Sequence, residues 1–228
     1  MRRRLVVTCG GLMMAVALCA HAEDPPAPAE PREGRGFVIG GGLGPGRLNF
    51  GGAEGLVLVI GESIGTIDLG GGQSLDARAG KIVPRALLPA DAEGLVPIPA
   101  RQNGVALSAQ IGWSFSRRFA LLAEFDLGGG WSDSFNQVNG GLTLRYSPTP
   151  RVWLEAGPTT GDLAYGFAES VAQDVAGAGS GFLVAGGVVL LRKPKLLLDI
   201  QVRSGTLWFD QFRATNLSVQ LGVMRRRS

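Results

Sequence analysis

Three stretches of the sequence hold residue types that could do chemistry. The first is GFVIGGGLGPG, residues 36–46, glycine-rich in the way that lets backbone amides close around a phosphate. The dinucleotide fingerprint sets glycines at i, i+2 and i+5 and opens a helix. No register of GGGLGPG supplies that spacing, no helical pattern follows, and Pro45 would interrupt one. Crowding in a small, strongly curved sheet is the reading that fits these glycines. The second stretch, Gly61-Glu62-Ser63-Ile64-Gly65, matches the nucleophile elbow of hydrolases and follows the apolar run LVLVI. An elbow needs a helix behind it and a histidine partner, and TIDLGGGQS is not helical. The third group is dispersed: Glu124, Asp126, Arg145, Glu155, Asp199 and Arg203. Carboxylates held close together can do acid–base work or gate a passage. Interleaved with arginines, they can equally form an internal network of ion pairs. The elements that hold them decide between these, and the pattern favours the network.

The supply of partners narrows the chemistry further. Cys9, Cys19 and His21 are the only cysteines and the only histidine, and all lie in MRRRLVVTCGGLMMAVALCAHA. Three arginines, an apolar run from Leu5 to Ala20 and a small-residue end make residues 1–22 a signal peptide, with cleavage between Ala22 and Glu23. Leu18 before Cys19 argues against lipidation. The exported chain then has no thiolate or imidazole ligand for a metal, no disulfide and no histidine base for Ser63, which reads as a turn residue. No cofactor, no metal and no enzymatic activity are expected. Arg2, Arg3 and Arg4 account for the excess of 22 Lys and Arg over 19 Asp and Glu, so the exported chain is neutral and offers nothing to nucleic acid.

Residues 23–35, EDPPAPAEPREGR, form a Pro-rich periplasmic lead-in. From Gly36 the pattern is that of strands. In GVALSAQIGWSFS, Val105, Leu107, Ala109, Ile111, Trp113 and Phe115 share one face, opposite Ala106, Ser108, Gln110, Gly112 and Ser114. The alternation returns in FALLAEFDLG, in QVNGGLTLRYS, in LLLDIQVRS and in ATNLSVQLGVM. The strand opening at Gly36, RVWLEAG and GFLVAGGVVLLRK bring the count to eight. The first, fifth and sixth alternate poorly, and Pro158 breaks the fifth. Tight connections at 116–118, 147–151 and 193–195 alternate with longer ones at 51–103, 130–136, 164–178 and 208–213. Short turns at one end and long loops at the other fit an antiparallel up-and-down transmembrane β-barrel over residues 36–228.

A soluble barrel would show the same alternation with its apolar face turned inward. The polar face here is Gly, Ser, Asn, Gln and Thr with few charges, which suits a narrow lumen better than a wetted exterior. Aromatic residues gather near strand ends, with Trp113, Phe115, Phe119 and Tyr146 by the turns and Trp131, Tyr165 and Trp208 by the loops. They are expected as the two girdles at the lipid headgroups. The long loop 51–103 is expected to hold a hairpin of LVLVIG with GTIDLG, which as part of the wall would make ten strands, while LPADAEGLVPIPARQNG reads as irregular.

GFVIGGGLGPG, VALSAQIGWSFSRRFALLAEFDLG and LTLRYSPTPRVWLEAG together resemble the eight-stranded outer-membrane β-barrel domain family, in the manner of the membrane domain of outer-membrane protein A. The resemblance covers residues 36–225. It implies a cell outer membrane of the Gram-negative type, contact with its lipid, and insertion by the barrel-assembly machinery. The expectation is a monomeric, non-enzymatic barrel with a structural or surface-interaction role. A channel for small or hydrophobic solutes and a soluble periplasmic ligand-binding barrel are the alternatives.

Overall fold

The computed structural model describes residues 35–60, 65–70, 73–77, 80–130, 134–166, 173–174, 178–193 and 195–227. The expected signal peptide, nearly all of the lead-in, Ser63 and Trp131 lie outside them. Eight long strands follow one another: β1 (Gly36–Gly51), β2 (Arg101–Ser114), β3 (Phe119–Gly129), β4 (Phe135–Tyr146), β5 (Val152–Tyr165), β6 (Gly179–Lys193), β7 (Leu196–Trp208) and β8 (Arg213–Arg227). Each pairs antiparallel with its neighbours in sequence. β1 and β8 pair from Phe37↔Arg227 to Gly51↔Arg213, which closes the sheet into a barrel. Eight strands, not ten, make the wall.

The residues that alternate in sequence also alternate in exposure, and the apolar set is outside. Leu107, Ile111, Phe125, Leu142, Leu144, Val219 and Leu221 are all exposed, whereas Ser108, Gln110, Glu124, Asn139, Thr143 and Gln220 are buried. An exterior of this kind is ordinary against hydrocarbon and untenable in water over so large an area. The soluble barrel is thereby ruled out. Pro158 does not break its strand. β5 runs through it, with Pro158 on the outer face opposite Phe182, because only one ladder donor is missing and both flanking registers continue. Gly42 explains the opening glycines: a Cβ there would meet the side chains of Ser108 and Gln220 from the adjoining strands β2 and β8 and of Gln201 from β7, which converge on it inside the lumen.

The long connection between β1 and β2 is a folded cap. LVLV (Leu56–Val59) does not pair with GTIDLG. It is the middle strand of a three-stranded sheet, between Ile82–Pro84 and Leu95–Pro97. GTIDLG (Gly65–Gly70) pairs instead with Gln73–Ala77. The reason lies in LVLV itself, apolar at every position, so that both of its faces need cover. Leu56 and Leu58 turn toward the barrel mouth and pack with Leu48, Phe50, Phe135, Leu163 and Phe212, while Val57 and Val59 pack with Ala77, Val83 and Leu88. The Arg85 guanidinium donates to the carbonyls of Pro89 (2.8 Å) and Ala90 (2.9 Å) and fixes the turn beyond the short 3₁₀ segment.

Leu58 is fully buried at the centre of the layer between cap and mouth, and an ionised side chain there has no partner. In Leu58→Asp, the cap should become sensitive to protease at enzyme levels the unsubstituted protein resists. The barrel itself should keep the faster gel mobility of unboiled, folded protein.

Candidate functional site

Strand parity brings one set of polar side chains into the lumen. β3 contributes Glu124 and Asp126, β4 Thr143 and Arg145, β5 Trp153 and Glu155, and β7 Asp199, Gln201 and Arg203. All nine are at least nine-tenths buried. Arg145 and Glu155 lie directly opposite each other across the β4–β5 hairpin. The guanidinium donates through Nε (2.8 Å) and Nη2 (2.6 Å) to Glu155 Oε2, and again through Nη2 to Gln110 Oε1 at 2.6 Å. Thr143 donates to the other oxygen of Glu155 at 2.9 Å. The Arg145 guanidinium carbon stands 3.8 Å from the centre of the Trp153 ring. The indole N–H of Trp153 in turn donates to Asp199 Oδ2 at 2.9 Å.

Arg203 ties the two sides of the barrel together. β7 and β3 stand four strands apart in a ring of eight, the greatest separation it allows. From β7, Arg203 donates Nε to Asp126 Oδ1 at 3.0 Å, and Nη2 to Asp126 Oδ2 at 3.3 Å and to Glu124 Oε2. The same Nη2 lies 3.9 Å from Glu155 Oε1, so both arginines bear on Glu155. A neutral layer continues toward the loop end. Ser108 donates to Gln220 (2.7 Å), Gln201 donates to the same oxygen (3.2 Å), and Gln137 bridges to Asn139 and to the Gly205 carbonyl.

All six of the charged residues singled out in the sequence therefore lie in one network, with Asp199 joined through Trp153. Gln110, Thr143, Gln201 and Gln220 fall on the polar faces read from the sequence but were not singled out as members of the network, and Trp153 was missed altogether. For Trp153 the cause is local: Val152 and Trp153 are adjacent apolar residues, so the alternation is lost there. Counting back two positions from Glu155 would have placed the indole inside. At the turn end Trp113, Phe115, Phe119 and Tyr146 are exposed on the outer face, and the Phe119 and Tyr146 rings stack at 5.0 Å. Trp208 is exposed at the loop end. Tyr165 does not join the outer girdle. It shares the inward parity of Glu155 and Leu163 and packs edge-on against Phe135 at 5.1 Å, because the last turn of β5 faces the cap and not lipid.

Apolar layers bound the network at both ends. Toward the turns stand Val38, Ala120, Leu122 and Met224, and toward the loops the cap cluster. Acid–base chemistry by Glu124 and Glu155 would need a substrate to cross one of these layers. A hollow of about 300 Å³ opens on the outer face between Ile39, Ala109, Ile111 and Phe125, and its lining is mostly apolar, with Gln110 and Glu124 at its inner side. Among the described residues, no group of His, Cys, Asp and Glu is arranged to hold a metal ion.

No protein-family model matches the chain, and no curated protein matches it in sequence. Solved structures do. Neisserial surface protein A aligns at 13% identity and TM-score 0.52, over 86% of this chain and 100% of that one. The attachment invasion locus protein Ail of Yersinia pestis aligns at 13% identity and TM-score 0.42, over 86% of this chain and 99% of its own. OprG from Pseudomonas aeruginosa aligns at 10% identity and TM-score 0.38, over 84% and 96%. The first likeness shows the fold, an eight-stranded antiparallel β-barrel, and the apolar exterior of this one suits a wall set in lipid.

Removing one partner from a buried pair strands the other charge, at about 3–5 kcal/mol. Arg203→Ala should lower unfolding stability in urea-titrated vesicles by about that amount. Arg203→Lys should recover only part of it, because one ammonium cannot reproduce the two-pronged grip on Asp126. Stability equal to that of the unsubstituted protein would show that the cross-lumen tie does not exist in the membrane.

Proposed function

We propose that the protein is a non-enzymatic surface barrel, with a lumen network that holds the wall together and a cap through which it meets molecules outside the cell. The observation that carries this reading is the double closure of the lumen. Leu56, Leu58 and Ile98 of the cap meet Phe50, Phe135 and Phe212 of the mouth in a continuous apolar layer. Beneath it, Arg203 crosses the lumen from wall to wall. A conducting path would have to break both. Loops on a rigid scaffold are where recognition concentrates, and the cap is the largest such structure this chain builds. The barrel inserts with the assembly machinery as a monomer, its lipid-facing belt complete once β1 meets β8.

A channel for small or hydrophobic solutes is the competing reading, and planar bilayers separate the two. The unsubstituted protein should show no stepwise conductance at either polarity. Discrete steps that Glu124→Ala or Arg145→Ala alter would overturn the proposal and make the network a gate.

A further inference from the structure

Charge is divided unevenly between the two ends of the barrel. The segments that make up its short-turn half, residues 35–46, 111–123, 142–154, 184–198 and 217–228, contain eleven arginines and lysines and no Asp or Glu. Arg145 is buried in the lumen. Arg118, Arg192, Lys193, Lys195 and Arg225 are exposed around the rim. At the other end Glu54, Asp91, Glu93, Asp162 and Asp210 stand among the basic residues, so no comparable field builds up there.

The rim is apolar as well as basic. β5 and β6 part at Val152↔Val188, yet β6 and β7 stay paired to Lys193↔Leu196 after a register shift between Val189 and Leu191. This hairpin therefore projects past the neighbouring turn. It carries Leu190, Leu191 and Leu196 exposed beside Arg192, Lys193 and Lys195. A soluble acidic partner would use the cations and leave the leucines wet. A bilayer surface uses both, with leucines among acyl chains and cations at the phosphates. The exposed aromatic residues Trp113, Phe115, Phe119 and Tyr146 lie at this same end, at the depth where rings meet headgroups.

We infer that the short-turn rim is a collar for the phosphate groups of anionic phospholipids in the leaflet it faces, which for this class of barrel is the periplasmic one. Each basic residue near an anionic surface strengthens the attraction roughly fivefold, and the effect is screened by salt. The test is native mass spectrometry of the folded protein released from nanodiscs of equal phosphatidylglycerol and phosphatidylcholine. The unsubstituted protein should retain the anionic lipid in excess. Replacing Arg118, Arg192, Lys193, Lys195 and Arg225 together by Gln should abolish the excess, whereas Arg47→Gln, Lys81→Gln and Arg101→Gln combined at the loop end should preserve it. Raising salt to about 0.5 M before release should remove the excess from the unsubstituted protein, a readout independent of whether the rim variant folds. Equal retention of the two lipids at low salt, or an excess that survives salt or the rim substitutions, would overturn the collar. So would an excess lost only with the loop-end substitutions.

Discussion

Eight strands close around a space so narrow that an inward side chain can reach the far wall. That constraint organises the rest of this molecule. A lumen this size has no room for bulk water to solvate a charge, so each carboxylate that parity sends inside needs a donor within reach. Glu124 and Asp126 find theirs in Arg203, from the opposite side of the ring, and Glu155 finds Arg145 on the adjacent strand. Where long side chains converge, the wall beside them must shrink, and Gly42 is the position that yields to Gln201 and Gln220. The polar interior and the glycine-rich wall are one solution to one geometric problem.

The same constraint explains how much could be read without coordinates. A strand has a period of two, so once Leu107 or Leu142 is known to face lipid, the parity of every residue in its strand follows. The barrel, its strand number and the inward placement of Glu124, Arg145 and Arg203 were legible on that basis. Contacts across the lumen were not. The pairing of β7 with β3 through Arg203 depends on side-chain reach across a closed ring, which has no trace in local spacing. Trp153 and Tyr165 were hidden for a different reason. Each sits where its strand leaves the environment that enforces alternation, Trp153 beside Val152 at the turn and Tyr165 under the cap.

The cap was the part least readable from its residues, because its pairing is non-local within the loop. LVLV takes ladder partners along both edges, one of them nearly forty residues further on, while its two apolar faces are covered by the barrel mouth and by Ala77, Val83 and Leu88. Its burial is thus shared between barrel and loop. The mouth aromatics Phe50, Phe135 and Phe212 have no purpose toward lipid or lumen except as the floor of that small sheet.

The placement of the cap between β1 and β2 also bears on the order in which the wall can form. Every strand from β2 to β8 has a neighbour reached through a connection of modest length, so each can zip onto the last from a nearby turn. β1 has none. One of its edges joins β2 across residues 52–100 and the other joins β8 at the far end of the chain. Closing a connection of that length costs roughly 2 kcal/mol more chain entropy than closing a four-residue turn. The cluster of Val57, Val59, Ala77, Val83 and Leu88 lies wholly within the loop, and its collapse shortens the effective span between β1 and β2 before they meet. The cap over the mouth is then also the brace that delivers the closing strand to its seam.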